Sequence, residues 1–218
     1  KRAEGLWTND TEIFICVQLT EKGVMMLNTT RICGIDGTDG GSITQGLQRG
    51  RAEIEWLLGF LREHMPGFEN ARIKSVAPFL GVRETRRIRG EYRMTVDDLV
   101  NAREFPDTIG YSMYGWDLPD PKEPSHQPMR GRRKPDLTPV PYRIMVPRGI
   151  DNLICPGRSV SVEREVLGPL RVMAPVMAMG QAAGTAAAQV TAEDRAFRDA
   201  DIAALREELR RNGALVNL

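Results

Sequence analysis

The chain is 218 residues long, 41% hydrophobic and 27% charged, the balance of an ordinary soluble globular protein, which excludes a collagen, wholesale disorder and a disulfide-stapled mini-scaffold. At roughly 150 residues per domain, this is one large domain or two small ones, able to bury about two-thirds of its surface. Thirty basic against 29 acidic residues leave a net charge of +1, and 25 of the 30 cations are Arg, which argues against a nucleic-acid wrapper and favours fixed bidentate pairing.

The three cysteines, Cys16, Cys33 and Cys155, stand at wide spacings. They indicate neither a disulfide framework nor a zinc site, so no metal is expected and a reducing, cytoplasmic setting is favoured. Residues 1–10 lack a signal-peptide core and an initiating Met, so the chain reads as a fragment of a longer protein. The uncharged run 172–190 reaches spanning length, but it is mostly Ala and Gly and carries Pro175 and Gln181. No membrane association is expected from so weakly apolar a stretch.

In chain order, residues 12–19 and 24–30 are rich in β-branched and aromatic types and are split by Glu21, Lys22 and Gly23, which predicts a hairpin. The Gly and Asp cluster at 34–41 predicts a loop. From Ser42, a candidate cap, Ile43, Leu47, Ile54, Leu57, Leu58, Leu61 and Met65 recur at helical spacing until Pro66-Gly67, the surest amphipathic helix in the chain. Residues 72–90 read as extended, Thr95 or Asp97 could cap a short helix through Leu99 and Val100, and residues 108–116 return to strand-like composition. Seven of the 14 prolines fall between Asp117 and Pro141, which predicts a long loop. Residues 140–146 and 153–155 resume as short strands, 170–190 as a helix, and 202–211 as another helix ended by Asn212-Gly213.

Neither histidine, His64 at a helix end or His126 in the proline-rich loop, has a second ligand or a nucleophile nearby in sequence, so structural or solvated roles are expected. No P-loop and no Gly-x-Gly triplet occurs. The Ala and Gly helix after Gly168 buries little volume, so its backbone can closely approach a strand or a flat ligand. Gly180, Ala183 and Gly184, with Ala187 and Ala188, are expected to form its docking stripe. Pro175 fits its first turn, and free amides from about Arg171 to Met173 would favour negative charge before the helix. On composition alone, a packing helix without a ligand is the better reading.

The runs 149–158 (GIDNLICPGR), 165–173 (EVLGPLRVM) and 177–187 (MAMGQAAGTAA) together resemble the carboxy-terminal flavin-binding segment of the FAD-dependent oxidoreductase family. The blocks 81–92 (GVRETRRIRGEY) and 34–39 (GIDGTD) are similar to that family too, in consistent order. The resemblance implies FAD as cofactor, with Gly157, Arg158, Gly168, Leu170, Arg171, Val172 and Met173 as the binding residues. The isoalloxazine ring would lie before the helix and the Gly157-Arg158 turn near the ribityl and pyrophosphate part. Helix amides aimed at the flavin would stabilise its reduced, negatively charged form. Arg171 either adds to that stabilisation or forms a surface ion pair. The five arginines from Arg83 to Arg93, beside Glu84 and Glu91, either bind an anionic substrate or form a structural salt-bridge network. The network is preferred, with Arg83 the catalytic candidate by resemblance.

The chain departs from the family in lacking the amino-terminal strand, glycine-rich turn and acidic ribose-binding residue of the dinucleotide fold. Alone it is expected to bind FAD weakly or not at all and to be inactive, with the missing half of the FAD domain and a small-molecule substrate as its partners. The fold expected is mixed α and β: an α+β substrate or cap region over 1–147, and the returning strand-helix part of a Rossmann-like FAD domain over 148–218. The function expected is hydride transfer between a substrate and flavin. The competing reading is a non-catalytic module binding nucleic acid or phosphate groups through Arg130, Arg132, Arg133 and Lys134, and it carries less weight because nearby acids dilute the charge.

Overall fold

In the computed structural model, which describes residues 1, 3–7, 14–118, 120, 129 and 135–217, the chain divides into two compact units. Lys1–Val82 with Pro119–Gln127 form one, and Arg83–Leu118 with Pro128–Leu218 the other. Among the described residues are five α-helices and two antiparallel two-stranded sheets, and no Rossmann sheet is seen.

In the first unit, β1 (Cys16–Gln18) pairs antiparallel with β2 (Met25–Leu27), Cys16 opposite Leu27. The expected turn joins them: the Val24 amide donates to Glu21 O at 3.1 Å, and Gly23 takes the left-handed φ of 81° that favours glycine. Residues 12 and 13 of the predicted hairpin lie outside the described residues. Helix α1 (Gly40–His64) begins two residues before the Ser42 cap read from sequence. The cap is Asp39, whose Oδ2 accepts from the Ser42 amide at 2.6 Å; a carboxylate is the better acceptor and also favours the helix dipole. Asp36 braces the preceding loop, its Oδ1 accepting from the amide and hydroxyl of Thr38 at 2.8 and 2.7 Å.

Leu57 and Leu61 are buried on α1, and Trp56 and Phe60 stack at 5.6 Å with Trp7 edge-on to both. Gly46 lets Leu80 and Ile35 reach the helix: a Cβ there would sit 2.8 Å from Leu80 Cδ2 and 3.2 Å from Ile35 Cγ1. The predicted strand over 72–90 makes no ladder, only an isolated bridge from Gly90 to Pro147.

In the second unit, Thr95 caps α2 (Val96–Val100) in a reciprocal box with Asp98. β3 (Thr108–Ser112) pairs antiparallel with β4 (Thr138–Pro141), Thr108 opposite Pro141 and Ser112 opposite Thr138, with an irregularity between Thr108 and Tyr111. The strand predicted over 140–146 stops at Pro141, and Tyr142–Met145 form a 3-10 turn. Tertiary bonds overrule strand propensity there: the Tyr142 amide donates to Asp107 O at 2.8 Å and its hydroxyl to Phe197 O at 3.0 Å. Residues 153–155 are irregular rather than a strand, with the Cys155 amide bonded to Met145 O.

Helix α3 (Leu167–Leu170) leads into α4 (Met173–Ala192), and α5 (Ile202–Arg211) ends at Asn212 and Gly213 as expected. The core gathers Met94, Ile109, Val140, Ile144, Leu167, Leu170, Met179 and Leu205, all essentially inaccessible. The glycines of the stripe are a correction: Gly180 and Gly184 are exposed with open space at their Cβ positions, and α4 buries Met179, Ala182, Ala186 and Val190 together with the stripe's Ala183. That ridge has apolar area to remove from water, and glycine has none. The close approach of helix to strand comes from Gly110 in β3, where a Cβ would lie 3.4 Å from Ala178 Cβ.

Candidate functional site

The amino-terminus of α4 is uncapped by any side chain. The Arg171 amide returns to Leu167 O at 2.9 Å and the Val176 amide to Val172 O at 3.2 Å. Pro175 sits in the first turn and has no N–H to place. The amides of Val172, Met173 and Ala174 therefore find no acceptor among the described residues, one position later than the sequence suggested. Three orphan donors with the positive end of a 20-residue helix behind them favour partial negative charge.

Against this turn lies Gly157, buried and at φ 95°, where a Cβ would be 3.8 Å from Val176 Cγ1. Arg158 beside it is exposed. Two residues earlier, burial pushes the Cys155 thiol up, away from the reactive thiolate. Gly168 is buried under residues 117–118: a Cβ would be 3.2 Å from the Asp117 amide nitrogen and 3.5 Å from Leu118 Cβ. Leu170 is wholly inside the core, whereas Met173 and Met177 are 83% and 73% exposed on α4.

The Arg171 side chain is only 7% exposed, so it is not a surface ion pair. Its Nη2 donates to the Asp117 carbonyl at 2.7 Å and stands 3.9 Å from Asp117 Oδ2. That same Oδ2 accepts from the Tyr114 hydroxyl at 3.3 Å. Burial lowers the affinity of Arg171 for its proton, with Arg83 and Arg164 pushing the same way and Asp117 and Glu84 opposing them. Guanidinium remains charged through such shifts. Burial, then Asp117, push the Tyr114 phenol up, while Arg171 and Arg83 pull it back.

The arginine block divides between the two readings held open for it. Glu84 accepts from Arg164 Nε at 2.8 Å and from Arg87 Nη1 at 3.3 Å, and Arg93 stands 3.9 Å from Glu163. Arg83, exposed, belongs to none of these pairs and faces Tyr114 and Arg171 electrostatically. Tyr114 and Asp117 were missed from sequence, where they read as a strand end and a loop start; a polar ring and an acid three residues apart, just before Pro119, were the available signal. His64 rests edge-on against Phe60 at 4.8 Å in the first unit. His126 and the basic residues Arg130, Arg132, Arg133 and Lys134 lie outside the described residues.

A separate open cleft of about 760 Å³ is lined by Asp107, Arg143, Arg198, Ile202, Arg206 and Arg210, among others. Its cations are already engaged, Arg143 by Asp107, Arg198 by Asp151, Arg210 by Glu207, and Arg206 by the carbonyls of Pro106 and Val216. Among the described residues, no group of three or more His, Cys, Asp or Glu could hold a metal ion, and no helix is long and apolar enough to cross a membrane.

The sequence profile of the family described as FAD dependent oxidoreductase matches residues 2–209. The chain belongs to the FAD dependent oxidoreductase family. No curated protein and no solved structure matches it. The family's name implies FAD, and the α4 amino-terminus has chemistry that fits part of such a group: orphan amides and an uncrowded glycine turn. The described residues contain no Rossmann sheet for the ADP end.

Proposed function

We propose that this chain is the carboxy-terminal portion of an FAD-dependent oxidoreductase that transfers hydride between a substrate and flavin. In this reading residues 1–147 form the substrate or cap region, and residues 148–218 are the returning part of the FAD domain. The observation that carries it is the uncapped start of α4, where Val172, Met173 and Ala174 present unbonded amides beside the Gly157 turn.

Bound FAD supplies the hydride acceptor and donor chemistry. The chain's own residues supply the electrostatics and the fit. The amides of 172–174 favour negative charge at the pyrimidine end of the ring. Gly157 lets backbone come close without a side chain, Arg158 reaches from the same turn toward the ribityl and phosphate part, and Met173 offers an exposed apolar, polarisable side chain. Gly168 permits residues 117–118 to cross α3 closely, which brings the Asp117 carbonyl to Arg171. Arg83 is the substrate-side candidate.

A flavin titration of this chain beside one extended upstream, followed by fluorescence quenching and the visible spectrum, tests the reading. Tight binding to the extended chain and weak binding to this one is expected, with Gly157→Val weakening the extended chain at least tenfold. A colourless, folded extended protein overturns it.

A further inference from the structure

We propose that Arg171, Arg83 and Tyr114 form a receptor for a carboxylate, so that the substrate of this oxidoreductase is a carboxylic acid. The assignment of that carboxylate to a substrate rests on the flavin reading above, while the receptor itself rests on the side chains alone.

Arg171 is the first argument. A guanidinium withdrawn from water to 7% exposure has five N–H donors to satisfy. One bond is made, from Nη2 to a neutral carbonyl at 2.7 Å, and the nearest carboxylate oxygen stands back at 3.9 Å. Nε and Nη1 have no hydrogen-bond partner among the described residues. A buried charge with so few bonds is costly, and an incoming anion that uses the remaining donors removes that cost.

Charge is the second. The groups that act on Arg171 are two further cations, Arg83 and Arg164, and two anions, Asp117 and Glu84. Glu84 is claimed by Arg164 at 2.8 Å and by Arg87 at 3.3 Å, which leaves Arg171 and Arg83 against Asp117 alone, one positive charge in excess. A single positive excess and a planar fork match a carboxylate; a phosphate dianion would bring more charge than Arg171, Arg83 and Asp117 together balance.

Tyr114 completes the receptor. Its hydroxyl donates to Asp117 Oδ2 at 3.3 Å, a long bond, while the residue is 44% exposed. The phenol can turn this donor to a ligand, and Asp117 then remains solvated at its open side. Asp117 thus serves both groups, orienting Tyr114 by its carboxylate and Arg171 by its carbonyl. The receptor adjoins the orphan amides, because Arg171 immediately precedes Val172 in the chain.

The test uses the whole chain, ¹⁵N-labelled and without flavin, at low salt. Acetate is the probe, inorganic phosphate the second arm, and the arginine Nε–Hε signals the readout. Saturable shifts of the Arg171 and Arg83 signals by acetate are expected, with phosphate binding more weakly. Arg83→Gln should weaken acetate at least fivefold and Tyr114→Phe about twofold; both side chains are exposed enough that the fold should survive, so a misfolded Arg171→Lys does not decide the matter. No saturable acetate shift, acetate binding indifferent to Arg83→Gln, or tighter binding of phosphate overturns the proposal. Because flavin is absent throughout, failure of the flavin titration leaves an acetate result standing, and failure here leaves the flavin reading standing.

Discussion

Arg143 closes on Asp107 from both ends of its guanidinium, Nε to Oδ2 at 2.9 Å and Nη2 to Oδ1 at 3.1 Å, and its own amide adds a third bond to Oδ2 at 3.0 Å. The carboxylate, 5% exposed, thereby ties the entrance of β3 to the 3-10 turn at Tyr142. Asp107→Asn keeps the size and loses the charge-assisted pairing. It should cost about 2 kcal/mol, discounted for the 44% exposure of the arginine. A lower urea midpoint at unchanged slope checks it.

Asp98 anchors α2 and makes the second unit sensitive to acid. Its carboxylate accepts from the Tyr92 hydroxyl at 2.7 Å, the Thr95 amide at 2.8 Å, the Thr95 hydroxyl at 2.9 Å and Arg103 at 3.0 Å. Burial alone would raise its pKa, but these bonds outweigh burial and lower it. The stability it contributes is therefore complete above the unfolded carboxylate value of about 3.9 and disappears as pH falls through the lower folded value. Asp98→Asn should flatten the acid limb of a stability profile between pH 5 and 2. Thr95→Ala, which removes the cap, should cost about 1 kcal/mol at neutral pH.

The Tyr92 phenol responds at the other end of the scale. Burial, then the bond to Asp98, push it up to about 12. Its contribution is complete below the unfolded phenol value of about 10 and declines as pH rises through the folded value. In an alkaline titration followed at the phenolate absorbance, one late-ionising tyrosine should vanish in Tyr92→Phe.

Two glycine substitutions should move stability in opposite directions. At Gly90 a Cβ would meet Ser161 Cβ at 2.7 Å and Arg143 O at 3.1 Å, so Gly90→Ala should destabilise by roughly 1–3 kcal/mol. At Gly184 nothing lies within 4 Å, and Gly184→Ala should stabilise this chain by about 0.5–1 kcal/mol through helix propensity. Thermal melts of the two variants beside the parent decide both.

Elements defined by local spacing were legible in the sequence. Helix α5 spans the predicted residues, the Glu21 turn joins the predicted hairpin, and Thr95, one of the two candidate caps, caps α2. What failed depends on distant partners. Residues 142–145 look like a strand until Asp107 and Phe197 claim Tyr142, and the face of α4 that is buried follows from Met179 and Val190 joining the core, which glycine spacing does not encode. At the candidate site, Pro175 in the first turn of α4 was readable from composition, whereas the helix read from residue 170 begins at Met173, after the separate α3. The pairing of Arg171 with Asp117, 54 positions away across the proline-rich segment, was not readable.

The long-range hydrogen bonds of the second unit bear on how the protein is made. Val96 bonds Glu163, 67 positions on, and Glu84 bonds Arg164, 80 positions on, while the amides of Ile88 and Met94 donate to Ser159 and Ser161. During synthesis the segment from Arg83 to Met94 emerges long before its partners do. At a ribosomal pace of roughly 5–20 residues per second it waits several seconds without the partners it bonds at residues 159–164. Folding of this unit is therefore gated by the arrival of residues 159–164, and a chain interrupted before them would leave the earlier segment without its partners there.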